Sequence, residues 1–182
     1  MIRASYRLLL LAAGFLWVAC RPQFTAIADP PVPTAESTQP TEESPWLAAE
    51  FSLTSITGED VSLVDWRGKW VLVNFWATWC GPCVREMPYL QELAQAHEDQ
   101  LVVLGINMRE TNDEVAAFAA EHGLTFPLLM DPDDETLLAY QVLNVPLTVV
   151  INPDGEIARR FFGPLDPVEF DEWLAVALAP PT

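Results

Sequence analysis

Two stretches of this 182-residue chain constrain its fold more than anything else in it: Trp70-Val71-Leu72-Val73-Asn74-Phe75-Trp76 and Leu101-Val102-Val103-Leu104-Gly105-Ile106. A strand with one wet face alternates apolar and polar side chains, because successive residues point to opposite sides of the sheet. These runs are apolar on both faces and of strand length, so each must be covered on both sides, as parallel strands between helices are. The residues between them, 82–96, read as a helix, and strand, helix and strand together make a βαβ unit.

The remaining signals extend that unit. Residues 51–53 and 61–63, divided by Thr57-Gly58-Glu59-Asp60, predict a hairpin ahead of the first buried strand. Thr111-Asn112-Asp113-Glu114 predicts the capped start of a second helix, and His122-Gly123 its stop. A short strand is expected over 126–130 and a short helix over 133–140. Residues 147–151, the Asn152-Pro153-Asp154-Gly155 turn and residues 156–162 predict a second hairpin. Asp166-Pro167 caps and opens a last helix bearing Phe170, Trp173, Leu174 and Leu178. No internal repeat is visible, and the expectation is one α/β domain over residues 47–179.

Ahead of it, residues 1–28 read as a signal peptide or N-terminal membrane anchor. Arg3 and Arg7 precede twelve apolar residues, 8–19, a run shorter than the roughly 17–25 that span a bilayer. Ala19-Cys20 resembles the end of a lipoprotein cleavage site, which makes Cys20 a candidate for lipidation, although Trp17 stands where Leu is usual. Ala26-Ile27-Ala28 offers an ordinary cleavage site instead, and an uncleaved anchor is the third alternative. Residues 29–46 form a Pro-rich acidic linker with nothing to bury before Trp46. Beyond residue 28 stand six basic against 26 acidic residues, a balance of −20. Such a surface repels phosphate backbones, so nucleic-acid binding is excluded. Three Cys in this length exclude a disulfide-stapled mini-protein.

The chemistry lies at Cys80-Gly81-Pro82-Cys83, where a buried strand meets the following helix. Pro82 suits the first helical turn, where a missing N–H costs nothing. Cys80 then faces unpaired N–H groups and the positive end of the helix dipole, which favour its thiolate and make it the nucleophile. Cys83 heads the series Cys83, Met87, Leu90, Ala94 and faces the core. An exposed attacking sulfur with a buried resolving one is what dithiol exchange needs. A zinc site would require two further ligands, and His97 and His122 lie near helix ends away from this junction. A purely structural disulfide closing so short a loop constrains the unfolded chain little. Catalysis outweighs both.

Phe75-Trp76-Ala77-Thr78-Trp79-Cys80-Gly81-Pro82-Cys83 is similar to the active-site segment of thioredoxins. With Asp65-Trp66-Arg67-Gly68-Lys69, Glu86-Met87-Pro88, Val145-Pro146 and Asn152-Pro153-Asp154-Gly155, the wider pattern over residues 50–178 resembles the TlpA/ResA group of exported thiol–disulfide oxidoreductases. The resemblance implies a thioredoxin fold of the redoxin type: a central mixed β-sheet flanked by helices, an N-terminal β-hairpin, and an extra helix–strand insert over residues 111–130. It implies a Cys80/Cys83 disulfide and a cis Pro146, with the Val145 backbone pairing an extended substrate, though Leu147 replaces the usual Thr. Trp79, Gly81 and Pro82 complete the substrate-facing surface, Trp79 as an exposed aromatic beside the sulfur. Pro88 cannot donate to the Val84 carbonyl and is expected to kink the helix.

Thioredoxins place a buried Asp six residues before the first Cys, where this chain has Asn74. The resemblance assigns proton transfer instead to Glu86, three residues past Cys83. The expectation is a partly desolvated Glu86 with a raised pKa that shuttles the proton of Cys83; the competing reading is a solvated helix charge paired with Arg85 or Lys69.

The leading function is therefore an exported reductase of protein disulfides that needs no cofactor. Its head would be a monomer on a membrane tether at the extracytoplasmic face of a bacterial cytoplasmic membrane, or free in the periplasm. A membrane thiol shuttle would donate electrons, with apocytochrome c or copper-site thiols among the targets. The alternatives are a thiol-dependent peroxidase of the redoxin group, weakened because Ala77 occupies the place of its Thr, and a copper-carrying protein of similar fold, weakened because no His lies in 147–162.

Overall fold

The structure, a computed structural model, describes residues 47–179. The expected export segment, the linker and Cys20 lie outside the described residues. Chain order is β1 (Ser52–Thr54), β2 (Asp60–Ser62), a single 3-10 turn (Leu63–Trp66), β3 (Trp70–Trp76), α1 (Gly81–Ala96), β4 (Leu101–Asn107), α2 (Asn112–His122), β5 (Leu128–Leu129), α3 (Asp134–Ala139), β6 (Leu147–Ile151), β7 (Ile157–Phe162) and α4 (Pro167–Ala177).

Five strands form one mixed sheet in the order β5-β4-β3-β6-β7. Strands β3, β4 and β5 run parallel, β6 runs antiparallel to β3, and β7 antiparallel to β6. The two apolar runs lie side by side at its centre, Trp70 opposite Leu101 through Trp76 opposite Asn107. The hairpin β1–β2 forms a separate two-stranded sheet.

The period of two along β3 splits the core. Leu72 and Trp76 join Cys83, Met87, Leu90, Val115, Phe170 and Leu174, so one face is covered by α1, α2 and α4. Val71, Val73 and Phe75 join Phe51, Leu53, Leu63 and Tyr140 on the other. Both faces are covered as the sequence predicts, but the second cover is not a pair of long helices. It is the N-terminal hairpin segment and the region of α3, with the Tyr140 hydroxyl donating to the Ala49 carbonyl at 2.7 Å.

Caps set the helix ends. Thr111 and Glu114 make a reciprocal capping box at α2, and Gly123 closes it in the left-handed region at φ 65°. Asp166 accepts from the Val168 and Glu169 N–H groups at 3.0 and 3.1 Å ahead of Pro167. The expected helix–strand insert is present as α2 and β5, and β5 adds to the sheet edge through Gly105 opposite Leu128. Among the described residues no helix is long and apolar enough to cross a membrane.

Candidate active site

Strand β3 delivers the chain through Ala77, Thr78 and Trp79 to Cys80, which N-caps α1. Cys80 and Cys83 are joined as a disulfide, with Cα atoms 5.2 Å apart. The Cys83 N–H donates to Cys80 Sγ at 3.3 Å, so an otherwise unpaired first-turn donor points at this sulfur. The helix starts at Gly81, one residue earlier than expected, and Pro82 occupies its first turn.

The expected contrast in exposure is narrow. Cys80 exposes 6% of its surface and Cys83 none. Cys80 is buried in the same core cluster as Cys83 rather than exposed as expected, because the disulfide ties it to a core residue, and the solvent-facing position falls to Trp79, 69% exposed. Gly81 beside it is exposed, and Pro82 is half-buried.

Glu86 is 5% exposed and belongs to the interior. One carboxylate oxygen accepts from Asn74 Nδ2 at 2.9 Å, the other from the Leu165 N–H at 2.9 Å. Burial pushes its pKa above the ordinary carboxylate value, against the opposing pull of the Leu165 N–H and then of Asn74. Asn74 Nδ2 also donates to Thr148 Oγ1 at 3.0 Å, while Asn74 Oδ1 is buried without a hydrogen-bond partner among the described residues. The competing picture of a solvated Glu86 does not hold, and Lys69 instead donates to the Glu98 carbonyl at 3.1 Å.

A second carboxylate, which the sequence reading passed over, holds the loop before Cys80. Glu110 accepts from the Thr78 N–H at 2.7 Å, from the Thr78 hydroxyl and from Asn107 Nδ2 at 2.7 Å. The local signal was Asn107 three residues ahead of Glu110 at the end of a buried strand; nothing local pointed to Thr78, 32 positions away. Thr148 and the Leu165 N–H were missed for the same reason.

The Val145–Pro146 peptide is cis, with Pro146 buried and Val145 half-buried. The Gly163 N–H donates to the Pro146 carbonyl at 3.0 Å, binding this turn to the end of β7. A cavity of about 360 Å³ is lined by Trp79, Met108, Arg109, Val142, Leu143, Asn144 and Val145. Its walls carry Trp79, the neighbour of Cys80, and Val145, the neighbour of Pro146. Among the described residues no group of three His, Cys, Asp or Glu side chains is placed to hold a metal ion.

Residues 47–160 match the AhpC/TSA family. The chain is 41% identical over 128 residues to the thiol–disulfide oxidoreductase ResA of Geobacillus kaustophilus, covering 70% of this chain and 74% of that protein. Its fold is similar to a crystal structure of a thiol:disulfide interchange protein of the thioredoxin family from Chlorobium tepidum, with TM-score 0.68 and 27% identity over 74% of this chain and 97% of the other. It is also similar to the crystal structure of StoA from Bacillus subtilis, with TM-score 0.61 and 30% identity over 71% and 99% of the two chains.

Proposed function

Because the chain belongs to the AhpC/TSA family and is a thiol–disulfide oxidoreductase with a thioredoxin-like fold, we propose that it reduces disulfides of exported proteins through Cys80 and Cys83. In the reduced enzyme the Cys80 thiolate attacks one sulfur of the substrate disulfide; a Cys80–substrate bond forms, the substrate S–S bond breaks, and the other substrate sulfur leaves with the electron pair as a thiolate. Cys83 then gives up its proton and attacks Cys80 Sγ, which expels the second substrate thiolate. The enzyme is left with the disulfide and the substrate with two thiols.

The observation that carries this reading is the Cys80–Cys83 pair at the start of α1, one sulfur capping the helix and the other sealed in the core, with the buried Glu86 carboxylate one turn on. At i+3 from Cys83, and with a pKa raised by burial, Glu86 suits the proton that Cys83 must release. Trp79, Gly81, Pro82, Val145 and Pro146 form the substrate-facing surface. An extended peptide would pair with the Val145 backbone and lay a side chain in the adjoining cavity.

Export rests on the basic, then apolar, residues 1–20 and the Pro-rich stretch after them, which together suit a head standing off the outer face of a cytoplasmic membrane or released to the periplasm. There the oxidised enzyme needs electrons from a membrane thiol carrier, and thiols of apocytochrome c or of copper sites are fitting targets. Anchoring would fall to Cys20 or to an uncleaved segment. The test is Cys83→Ser in the native host: substrates should remain covalently held on Cys80 and be released by dithiothreitol. Recovery of none, under conditions where the wild-type enzyme turns over, would refute the exchange cycle.

A further inference from the structure

Residues 47–179 hold 22 carboxylates and only six Lys and Arg. Arg67, Arg109 and Arg159 pair with Glu50, Asp134 and Glu169, Lys69 donates to a carbonyl, and Arg160 is half-buried with its Nε buried and without a hydrogen-bond partner among the described residues. Arg85 is exposed and, among the described residues, makes neither an ion pair nor a hydrogen bond, although acids outnumber bases almost fourfold.

Its place makes that isolation informative. The side chain folds back along α1, so that a Cβ added to Gly81 would stand 3.6 Å from Arg85 Nη1. The guanidinium therefore lies over Gly81, the exposed residue that follows Cys80. A cation at the N-terminal end of a helix opposes the helix dipole, so helix stability does not account for it. The two carboxylates beside the dithiol leave it free: Glu86 accepts from Asn74 and Leu165, and Glu110 from Thr78 and Asn107.

We propose that Arg85 is a specificity-determining residue, whose guanidinium receives a carboxylate carried next to the disulfide of an incoming peptide, so that acidic peptides are favoured at contact. The proposal rests on Cys80 being the attacking sulfur. It concerns short range only, since the net negative domain repels acidic partners at a distance and salt screens that field beyond about 8 Å at physiological ionic strength.

The experiment uses the reduced protein in about 0.15 M salt and single-cysteine peptides activated as thiopyridyl disulfides, alike except for Glu, Gln or Lys beside the cysteine. Release of thiopyridone gives the rate constant for each. In the wild type the Glu peptide should outrun the Lys peptide once both are normalised to the Gln peptide. Arg85→Gln should cut that Glu-to-Lys ratio about fivefold, the scale of one exposed ion pair, and Arg85→Lys should restore most of it. An unchanged ratio overturns the proposal. So does an equal fall of all three rates, which would mean that the guanidinium only supports the thiolate. Failure of the wild type to react even with the Gln peptide would instead remove the attacking role of Cys80, and this proposal with it.

Discussion

Glu86 shows what one buried carboxylate does to the energetics of a dithiol site. An unfolded Glu titrates near 4.3, and burial holds the folded Glu86 above its usual value. Between those two pKa values the native state binds the extra proton, so ∂ΔG/∂pH is negative. The contribution is complete below about 4.3, declines as pH rises through the folded pKa, and is gone above it. The stability of the wild type relative to Glu86→Gln, from urea midpoints at pH 4 to 8, should therefore fall as pH rises; a flat difference would show that burial does not govern this carboxyl. The same substitution should erase the Glu86 inflection from the pH profile of thiol exchange while leaving the Cys80 inflection in place. Glu110→Ala tests the other carboxylate. Removing the acceptor of the Thr78 N–H and hydroxyl should cost about 2 kcal/mol, measured by chemical denaturation. It should also slow the alkylation of reduced Cys80, because the loop that sets this residue loses its anchor. Helical spacing made the placing of Glu86 beside Cys83 legible, but not its partners. Asn74 lies twelve positions before it and Leu165 seventy-nine after, and no local pattern links residues that meet only when β3, α1 and the loop before α4 have packed.

The elements were more legible than their contacts, because their ends are written in short-range chemistry. The Thr111–Glu114 box, Gly123, Asp166-Pro167 and the Asn152–Gly155 turn each satisfy backbone groups within a few residues. What escaped was decided across the sheet. β5 shrinks to two residues because only Leu128 and Leu129 reach β4, in register with Gly105 and Ile106. Gly105 interrupts an otherwise apolar strand, and the sequence offered no reason. A Cβ there would stand 2.8 Å from Leu128 Cδ2 and 3.1 Å from both Phe126 Cε2 and Trp76 Nε1. The glycine lets the insert close against β4 and against Trp76, which ends the strand leading to the dithiol. Gly105→Ala should accordingly cost about 1–3 kcal/mol through overpacking. Thermal unfolding measures that cost, and the loss should be much smaller at Gly81, where the nearest atom to an added Cβ is the far end of Arg85 at 3.6 Å.

At the scale of the whole domain, charge sets the balance. With 22 carboxylates against six cations over residues 47–179, like-charge pairs greatly outnumber the three salt bridges, two of which, Arg109–Asp134 and Arg159–Glu169, have largely exposed acids. Exposed pairs contribute about 0–1 kcal/mol each, and salt weakens them; the self-repulsion of a net charge of −16 destabilises the compact state, and salt weakens that as well. The two terms therefore predict opposite signs. The repulsion runs over the whole surface while ion pairs such as these are local contacts, so the repulsion should win. Raising sodium chloride from about 0.01 to 0.15 M, which shortens the screening length from about 30 to 8 Å, should raise the unfolding midpoint by a few degrees, equivalent to roughly 1 kcal/mol. Chloride is the right salt, because sulfate would strengthen apolar burial and hide the electrostatic sign. A midpoint that falls over this range would mean that the Arg67, Arg109 and Arg159 pairs outweigh the excess of acid.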